Sequence, residues 1–142
     1  MILLILDNFI SKKDCKKIIS YFEKNKKHHF INESIRFNKS SILNLNDMNS
    51  NKLINEVLNN LNNKSKLLNN SKIDWCHITK WKKEAAQRYH FDESKDTTIL
   101  SSIIYLNDNY TGGETTFRDG ITFKPKLGRA LFFDGKYYKH GS

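Results

Sequence analysis

The amino-acid sequence predicts a mainly β domain of the α+β class, in which N-terminal helices precede an antiparallel barrel or jelly roll. Two observations support this fold class. Apolar residues recur at helical spacing in the first half of the chain. After residue 72, several short stretches rich in β-branched and aromatic residues follow one another without an intervening helical pattern. At 142 residues, the chain is expected to be one domain, with a strand and helices in residues 1–70 and the β core in 71–142.

The N-terminal half begins with an apolar run, residues 1–6, that predicts a buried strand. Ser11 is a candidate N-cap, with Asp14 three residues later, and the apolar spacing that follows predicts a first helix over residues 12–25. A second amphipathic helix is predicted from residue 51 to residues 62–63, because its leucine, isoleucine and valine side chains recur every three to four positions. The polar segment between the two helices predicts loops with one or two weak strands.

The C-terminal half is predicted to consist of strands separated by Gly, Asn, Asp or Pro. The predicted strands cover residues 73–81, 97–106, 115–117, 121–123 and 130–133. Short consecutive strands of this kind form antiparallel sheets that close or fold back on themselves.

Composition excludes several classes of protein. Hydrophobic residues at 38% and aromatic residues at 12% are too abundant for a disordered chain. The first apolar run stops at Asp7, far short of the ~20 residues that cross a bilayer, and it lacks the features of a secretory signal. With only Cys15 and Cys76, a disulfide framework is not expected, so both are predicted to be small core residues of an intracellular protein.

The formal net charge of +9 raises the question of an anionic partner. Lysines of the N-terminal half could contact nucleic-acid phosphates, but they are dispersed among acidic residues and no arginine-rich block occurs. We therefore expect neither a nucleic-acid nor a membrane partner. The sequence does not indicate the oligomeric state.

The tripeptide His90-Phe91-Asp92 is the main chemical signal. On an extended segment the imidazole and the carboxylate lie on one face, and Phe91 lies on the other. His140 follows about fifty residues later, a separation that an antiparallel sheet can close. Two imidazoles and one carboxylate form the facial triad of non-haem Fe(II) oxygenases, which leaves open positions on the metal, although the ligand types alone also permit zinc hydrolysis.

Further segments follow this tripeptide in a characteristic order. These are Ile-Ile-Tyr-Leu-Asn at 103–107, Gly-Gly-Glu-Thr-Thr-Phe at 112–117, Pro-Lys-Leu-Gly-Arg-Ala-Leu-Phe-Phe at 125–133 and His-Gly at 140–141. The sequence thereby resembles the prolyl 4-hydroxylase-like branch of the Fe(II)- and 2-oxoglutarate-dependent oxygenases. The opening Asp-Asn-Phe-Ile-Ser at 7–11 is also similar to the start of that family.

The resemblance implies a double-stranded β-helix, or jelly roll, with N-terminal helices packed on it. It implies that His90, Asp92 and His140 hold Fe(II), that the Tyr105 hydroxyl contacts the distal carboxylate of 2-oxoglutarate, and that Thr115 lines the same pocket. 2-Oxoglutarate and O₂ would be co-substrates, and ascorbate is a candidate further cofactor. The implied reaction is hydroxylation of a C–H bond, with peptidyl proline the leading substrate ahead of a free amino acid or another small molecule.

The sequence departs from the family pattern at two places. The family continues beyond the second iron histidine and supplies a Lys or Arg for the 2-oxoglutarate carboxylate, whereas this sequence ends at Ser142 and neither Arg118 nor Arg129 lies at that position. An unpaired anion in a buried pocket is costly, so we expect a truncated chain. The alternative is a non-catalytic β-barrel binding module that cannot use 2-oxoglutarate.

The second departure lies before His90. There, Trp81, Glu84 and Gln87 stand where the family often has Tyr, Gly and Tyr. This difference predicts a changed wall of the pocket and an altered choice of substrate.

Overall fold

A computed structural model describes residues 3–33, 40–45, 55–56, 59–60, 62–63, 73–92 and 100–142. The described residues are mainly β, as the sequence predicts, with three small antiparallel sheets and helix α1. The elements in chain order are β1 (Leu3–Leu6), α1 (Lys12–Lys24), a 3₁₀ turn (Lys26–His28), β2 (Phe30–Ile31), β3 (Ser41–Asn44), β4 (His77–Lys80), β5 (Ser101–Ile104), β6 (Thr115–Phe117), β7 (Thr122–Phe123), β8 (Ala130–Phe133) and β9 (His140–Gly141).

The prediction of the first helix is confirmed. The Ser11 side chain caps α1 by accepting a hydrogen bond of 3.0 Å from the Asp14 main-chain N–H. The second predicted helix, residues 51–63, lies mostly outside the described residues, and the described positions within it are helical. None of the described helices is both long and apolar enough to cross a lipid bilayer.

The strands form three sheets with the orders β1-β8-β5, β2-β3-β4 and β7-β6-β9. Every pairing within them is antiparallel. Strand β1 therefore pairs with a strand from the far end of the sequence, and β8 has a neighbour on each side. This arrangement agrees with a mainly β fold; its assignment as a double-stranded β-helix, and the single-domain organisation, stay predictions.

Strands β6 and β8 have the predicted boundaries, and β7 begins one residue later than predicted. Strands β4 and β5 are shorter than predicted, and residues 97–99 of the prediction for β5 lie outside the described residues. The length of β4 follows from its partner, because its four residues His77–Lys80 pair with the four residues of β3. Before β4, the Leu45 main-chain N–H donates to the Cys76 carbonyl at 3.0 Å, whereas Trp75 is 62% exposed. The two-residue strand β9 was not predicted, since it is too short to show an alternating pattern.

The expectation that the first strand is buried is wrong in part. Leu4 and Leu6 pack against the core, but Ile5 between them is 39% exposed. The register explains this alternation: Leu4 and Leu6 pair with Phe132 and Ala130 and lie on the face toward α1, whereas Ile5 lies on the opposite face.

Strand β8 separates two parts of the core. On one face, Ala130 and Phe132 pack against Cys15 and Ile18 of α1. On the opposite face, Leu131 and Phe133 pack with Tyr105 and with Phe117 of β6. The second cluster brings the sheet that contains β8 against the sheet that contains β6.

The two cysteines are free thiols. Cys15 is fully buried, as predicted, and burial raises its thiol pKa above the ordinary value. Cys76 is partly buried beside Tyr21 and Leu43, and burial raises its pKa to about 11. Both thiols are therefore protonated at neutral pH and are poor nucleophiles or metal ligands.

Candidate functional site

Main-chain hydrogen bonds hold the predicted ligand segments together. His90 and His140 exchange N–H···O bonds of 2.8 and 2.9 Å, and the Asp92 N–H donates to the Gly135 carbonyl at 2.9 Å. The two segments are therefore paired antiparallel through their backbones. Main-chain hydrogen bonds therefore join two segments that are about fifty residues apart in the sequence.

A close approach of the chains at Gly141 permits this pairing. Gln87 and Ser142 exchange main-chain hydrogen bonds of 2.6 and 3.1 Å beyond the two histidines. A Cβ atom at Gly141 would lie 2.6 Å from the Gln87 carbonyl oxygen, closer than packing allows. Only glycine leaves room for the neighbouring backbone at this position.

The side chains of His90, Asp92 and His140 converge. Their candidate ligand atoms all lie within 4.8 Å of one another. Asp92 Oδ1 lies 3.5 Å from His90 Nε2 and 3.8 Å from His140 Nε2. The structure thus brings together all three residues that the sequence singles out, and one carboxylate oxygen faces both imidazoles.

Both imidazoles are oriented by backbone carbonyls. His90 Nδ1 donates to the Arg88 carbonyl at 2.8 Å, and His140 Nδ1 donates to the Tyr138 carbonyl at 3.1 Å. A carbonyl oxygen can only accept, so each Nδ1 carries a proton, and Nε2 is the nitrogen of each ring whose lone pair can bind a metal. Two such nitrogens beside one carboxylate oxygen suit a divalent transition metal.

The site is closed on one side and open on the other. The His140 ring contacts Phe133 at a centroid distance of 4.6 Å and Phe117 at 5.9 Å. Its side chain is 5% exposed, compared with 14% for His90 and 23% for Asp92. A ligand or a second reactant therefore approaches from the side of His90 and Asp92.

Asp92 is ionised at neutral pH. Burial, the largest single influence, raises its pKa, but hydrogen bonds from His90 and Ser101 and the nearby charges of His140 and His90 outweigh burial and lower the pKa below its ordinary value. The carboxylate consequently provides a full negative charge beside the two imidazoles.

A second polar pair lies deeper in the same core cluster. The Tyr105 and Thr115 hydroxyls are 2.6 Å apart and both side chains are buried. Burial raises the pKa of Tyr105, and its hydrogen bond with Thr115 only partly offsets this. The phenol is therefore protonated and can donate to an anion.

The spacing along β6 relates this pair to the histidines. Thr115 and Phe117 are two residues apart and both buried, so they lie on the same face of the strand. Phe117 pairs directly with His140. Thr115 is therefore displaced by about 7 Å along the strand from the position opposite His140.

The two arginines near these motifs have other contacts. Arg129 is bonded through its backbone to Tyr105, but its guanidinium donates to Asp7 Oδ1 at 2.7 Å and to the Lys124 carbonyl at 3.2 Å. Arg129 and Lys126 hold the pKa of Asp7 at about 2 by hydrogen bonding to its carboxylate. Arg118 is exposed. The ion pair between Arg129 and Asp7 therefore links the residue that follows β1 to the segment before β8.

The three positions that depart from the family pattern precede His90 in the sequence. Trp81 is 38% exposed, Glu84 is exposed with φ 62°, and Gln87 belongs to the backbone ladder described above. Their predicted effect on substrate choice stays a prediction.

Sequence reasoning missed two residues that contact Asp92, namely Ser101 and Gly135. A serine at the start of a strand and a glycine in a turn carry no chemical signal of their own. The alternation along β5 could have indicated Ser101, because it lies on the same face of the strand as Tyr105 four residues later.

Comparison with known proteins agrees with this geometry. Residues 76–142 match the model of the 2OG-Fe(II) oxygenase superfamily. No curated protein matches the sequence. Among solved structures, a Pseudomonas putida prolyl-4-hydroxylase is similar with a TM-score of 0.75 and 16% identity, over 98% of this chain and 83% of that one.

A viral collagen prolyl hydroxylase from Paramecium Bursaria Chlorella virus-1, solved as a 2OG complex, is similar with a TM-score of 0.69 and 21% identity. That match covers 99% of this chain and 86% of the viral one. The family resemblance seen in the motifs is thereby confirmed: the segment with the three converging side chains matches the model of the 2OG-Fe(II) oxygenase superfamily, and the chain has a fold similar to that of the two prolyl hydroxylases.

Proposed function

We propose that this protein is an Fe(II)- and 2-oxoglutarate-dependent dioxygenase that hydroxylates a C–H bond, with peptidyl proline as the leading substrate class. One observation carries the proposal: the Nε2 atoms of His90 and His140 and one oxygen of Asp92 converge on a point that is open on one side. Three ligands of this kind hold Fe(II) and leave coordination positions for reactants.

His90, Asp92 and His140 would hold the metal, and the bound Fe(II) would supply activation of O₂ coupled to oxidation of 2-oxoglutarate. The protein side chains provide the remaining requirements. The two Nδ1–H groups, fixed by the Arg88 and Tyr138 carbonyls, keep both rings aimed at the site. The rings of Phe117 and Phe133 exclude water behind His140.

Tyr105 and Thr115 would bind the distal carboxylate of 2-oxoglutarate. Both hydroxyls are buried, and a protonated phenol forms a strong, charge-assisted hydrogen bond with a carboxylate. Their displacement along β6 from the position opposite His140 suits a co-substrate with one end at the metal and a carboxylate at the other.

The choice of a proline substrate rests on the structural neighbours. Tyr89 and Phe91 are 49% and 47% exposed, but they alternate with His90 along an extended segment, so they lie on the face opposite the metal site. The two structural neighbours described above are named prolyl hydroxylases, which makes a proline-containing peptide the first substrate to test.

The first test is anaerobic addition of Fe(II) and 2-oxoglutarate to the protein. We expect a visible charge-transfer band from a bidentate complex, and its loss in His90→Ala. His28→Ala is the matched control, because His28 is an exposed histidine of the 3₁₀ turn, and this variant should keep the band. Admission of O₂ with a proline-rich peptide should then give succinate and a peptide that has gained one oxygen atom.

Each outcome of this experiment separates the alternatives. Metal binding without the band would favour a binding module that does not use 2-oxoglutarate. A band that persists in His90→Ala would contradict the assignment of His90 as a ligand of the metal site. A band with no peptide oxidation would retain the oxygenase and reject peptidyl proline as its substrate.

Tyr105→Phe should weaken 2-oxoglutarate binding by about 10- to 100-fold, since a hydrogen bond to a charged group contributes about 1.5–3 kcal/mol. Titration of the charge-transfer band with 2-oxoglutarate measures this affinity without turnover. Tyr137→Phe is the control because Tyr137 is 74% exposed, and its affinity should equal that of the wild type. Equal affinities in both variants would show that Tyr105 does not contact the co-substrate.

A further inference from the structure

The second oxygen of Asp92 has its own environment. Asp92 Oδ1 faces the two imidazoles, whereas Oδ2 lies on the side of Gly135 and Ser101. The Ser101 hydroxyl donates a hydrogen bond to the Asp92 carboxylate. The two oxygens of this carboxylate therefore have different partners.

The position of Ser101 follows from strand β5. Ser101 is the first residue of β5 and pairs with Phe133 of β8. Side chains alternate along a strand, so Ser101 lies on the same face as Ile103, which packs in the core cluster that contains Phe133. Its neighbour Ser102 lies on the opposite face and is exposed. The Ser101 hydroxyl therefore lies at the candidate metal site, and the Ser102 hydroxyl lies on the other face of the strand.

Gly135 lies against the carboxylate on the same side as Ser101. A Cβ atom at this position would lie 2.7 Å from both Cβ and Oδ2 of Asp92 and would also collide with the Ser101 hydroxyl. The Gly135 carbonyl meanwhile accepts the Asp92 N–H. The backbone at Gly135 therefore fixes the main chain of Asp92 and lies directly against its side chain.

We propose that Ser101 is a positioning residue, which, with the backbone of Gly135, fixes the rotation of the Asp92 carboxylate so that Oδ1 alone is presented to the metal. This inference rests on the proposed function, because it assigns a task to the metal site. A carboxylate that rotates freely can bind a metal through one oxygen or through both. When Oδ2 is hydrogen-bonded to the Ser101 hydroxyl, it does not bind the metal. One more coordination position is then available to the co-substrates.

The direct test is Co(II) binding to the metal-free protein, measured by calorimetry and by the visible absorption of the bound ion. Ser101→Ala should weaken Co(II) binding by about 10- to 100-fold, the usual effect of removing a partner that orients a metal ligand. Ser101→Thr, which retains a hydroxyl, should restore most of the affinity. Ser102→Ala is the matched control and should bind as the wild type does.

The Co(II) spectrum distinguishes positioning from a merely structural effect. Loss of the hydroxyl should change the shape and intensity of the absorption bands, which report coordination number, while the melting temperature of the metal-free protein stays close to that of wild type. Gly135→Ala should alter the spectrum in the same way, because its methyl group would lie 2.7 Å from Asp92 Oδ2.

Two results would overturn the inference in different ways. If Ser101→Ala and Ser102→Ala bind Co(II) with the same affinity and spectrum as wild type, Ser101 does not position Asp92, and the proposed metal site stands. If the wild-type protein binds no Co(II), or if binding survives in His90→Ala, the proposed function fails and this inference fails with it.

Discussion

Asp92→Asn is expected to weaken metal binding by more than about 100-fold, an effect larger than the loss of any residue that only orients a ligand. The substitution keeps the size of the side chain and removes its negative charge. The amide also has an N–H₂ group that can donate to the Nε2 atoms facing Asp92 Oδ1, which would occupy the lone pairs that a metal needs. The two histidines alone should not retain the ion.

The measurement is the rise in melting temperature on adding Co(II). A metal present at 100 times its dissociation constant stabilises the folded state by about 2.7 kcal/mol, so the wild-type transition should shift upward and that of Asp92→Asn should not. Asp119→Asn is the matched control, because Asp119 is an exposed residue whose carboxylate accepts a local turn hydrogen bond from Ile121. An equal shift in wild type and Asp92→Asn would contradict the ligand assignment.

Phe133→Ala should lower the free energy of unfolding by about 3–5 kcal/mol, the range for removal of a fully buried aromatic ring. Phe133 is 0% exposed and packs edge-to-face on Phe117 at 5.2 Å and on the His140 ring at 4.6 Å. A loss of this size is a large fraction of the stability of an ordinary domain, about 5–15 kcal/mol. The cavity would lie directly behind His140, so this variant should also bind metal more weakly.

Urea denaturation of the metal-free protein checks this expectation. Phe91→Ala serves as the control, since Phe91 is 47% exposed and should change the stability by no more than about 0.5 kcal/mol. A change below about 1 kcal/mol in Phe133→Ala would mean that the ring is not part of a tightly packed core.

Local features of the fold could be predicted from the sequence because their causes are local. Ser11 and Asp14 mark the start of α1, and the boundaries of β6 and β8 follow from short runs of β-branched, aliphatic or aromatic residues between turn residues. The alternation of an extended chain likewise placed His90 and Asp92 on one face. These expectations depend on neighbouring residues and on local backbone geometry.

Features that depend on distant partners could not be predicted. The register of β1 against β8 puts Ile5 on the face opposite Leu4 and Leu6, and so Ile5 is exposed although its neighbours are apolar. The contact of Ser101 with Asp92 needs the register of β5 against β8 and the path of the chain at Gly135. The resemblance identified His140 as a third ligand, but β9, which presents it, is too short to be recognised from its two residues.

The backbone ladder between the segments of His90 and His140 has an evolutionary consequence. Main-chain hydrogen bonds are made by every residue except proline, which lacks the N–H, so the two segments stay adjacent when other residues occupy the ligand positions. Mutations at His90, Asp92 or His140 can therefore accumulate without dismantling the surrounding architecture. A gene duplicate of such a protein could lose its metal, or acquire a different one, and still encode a stably folded chain.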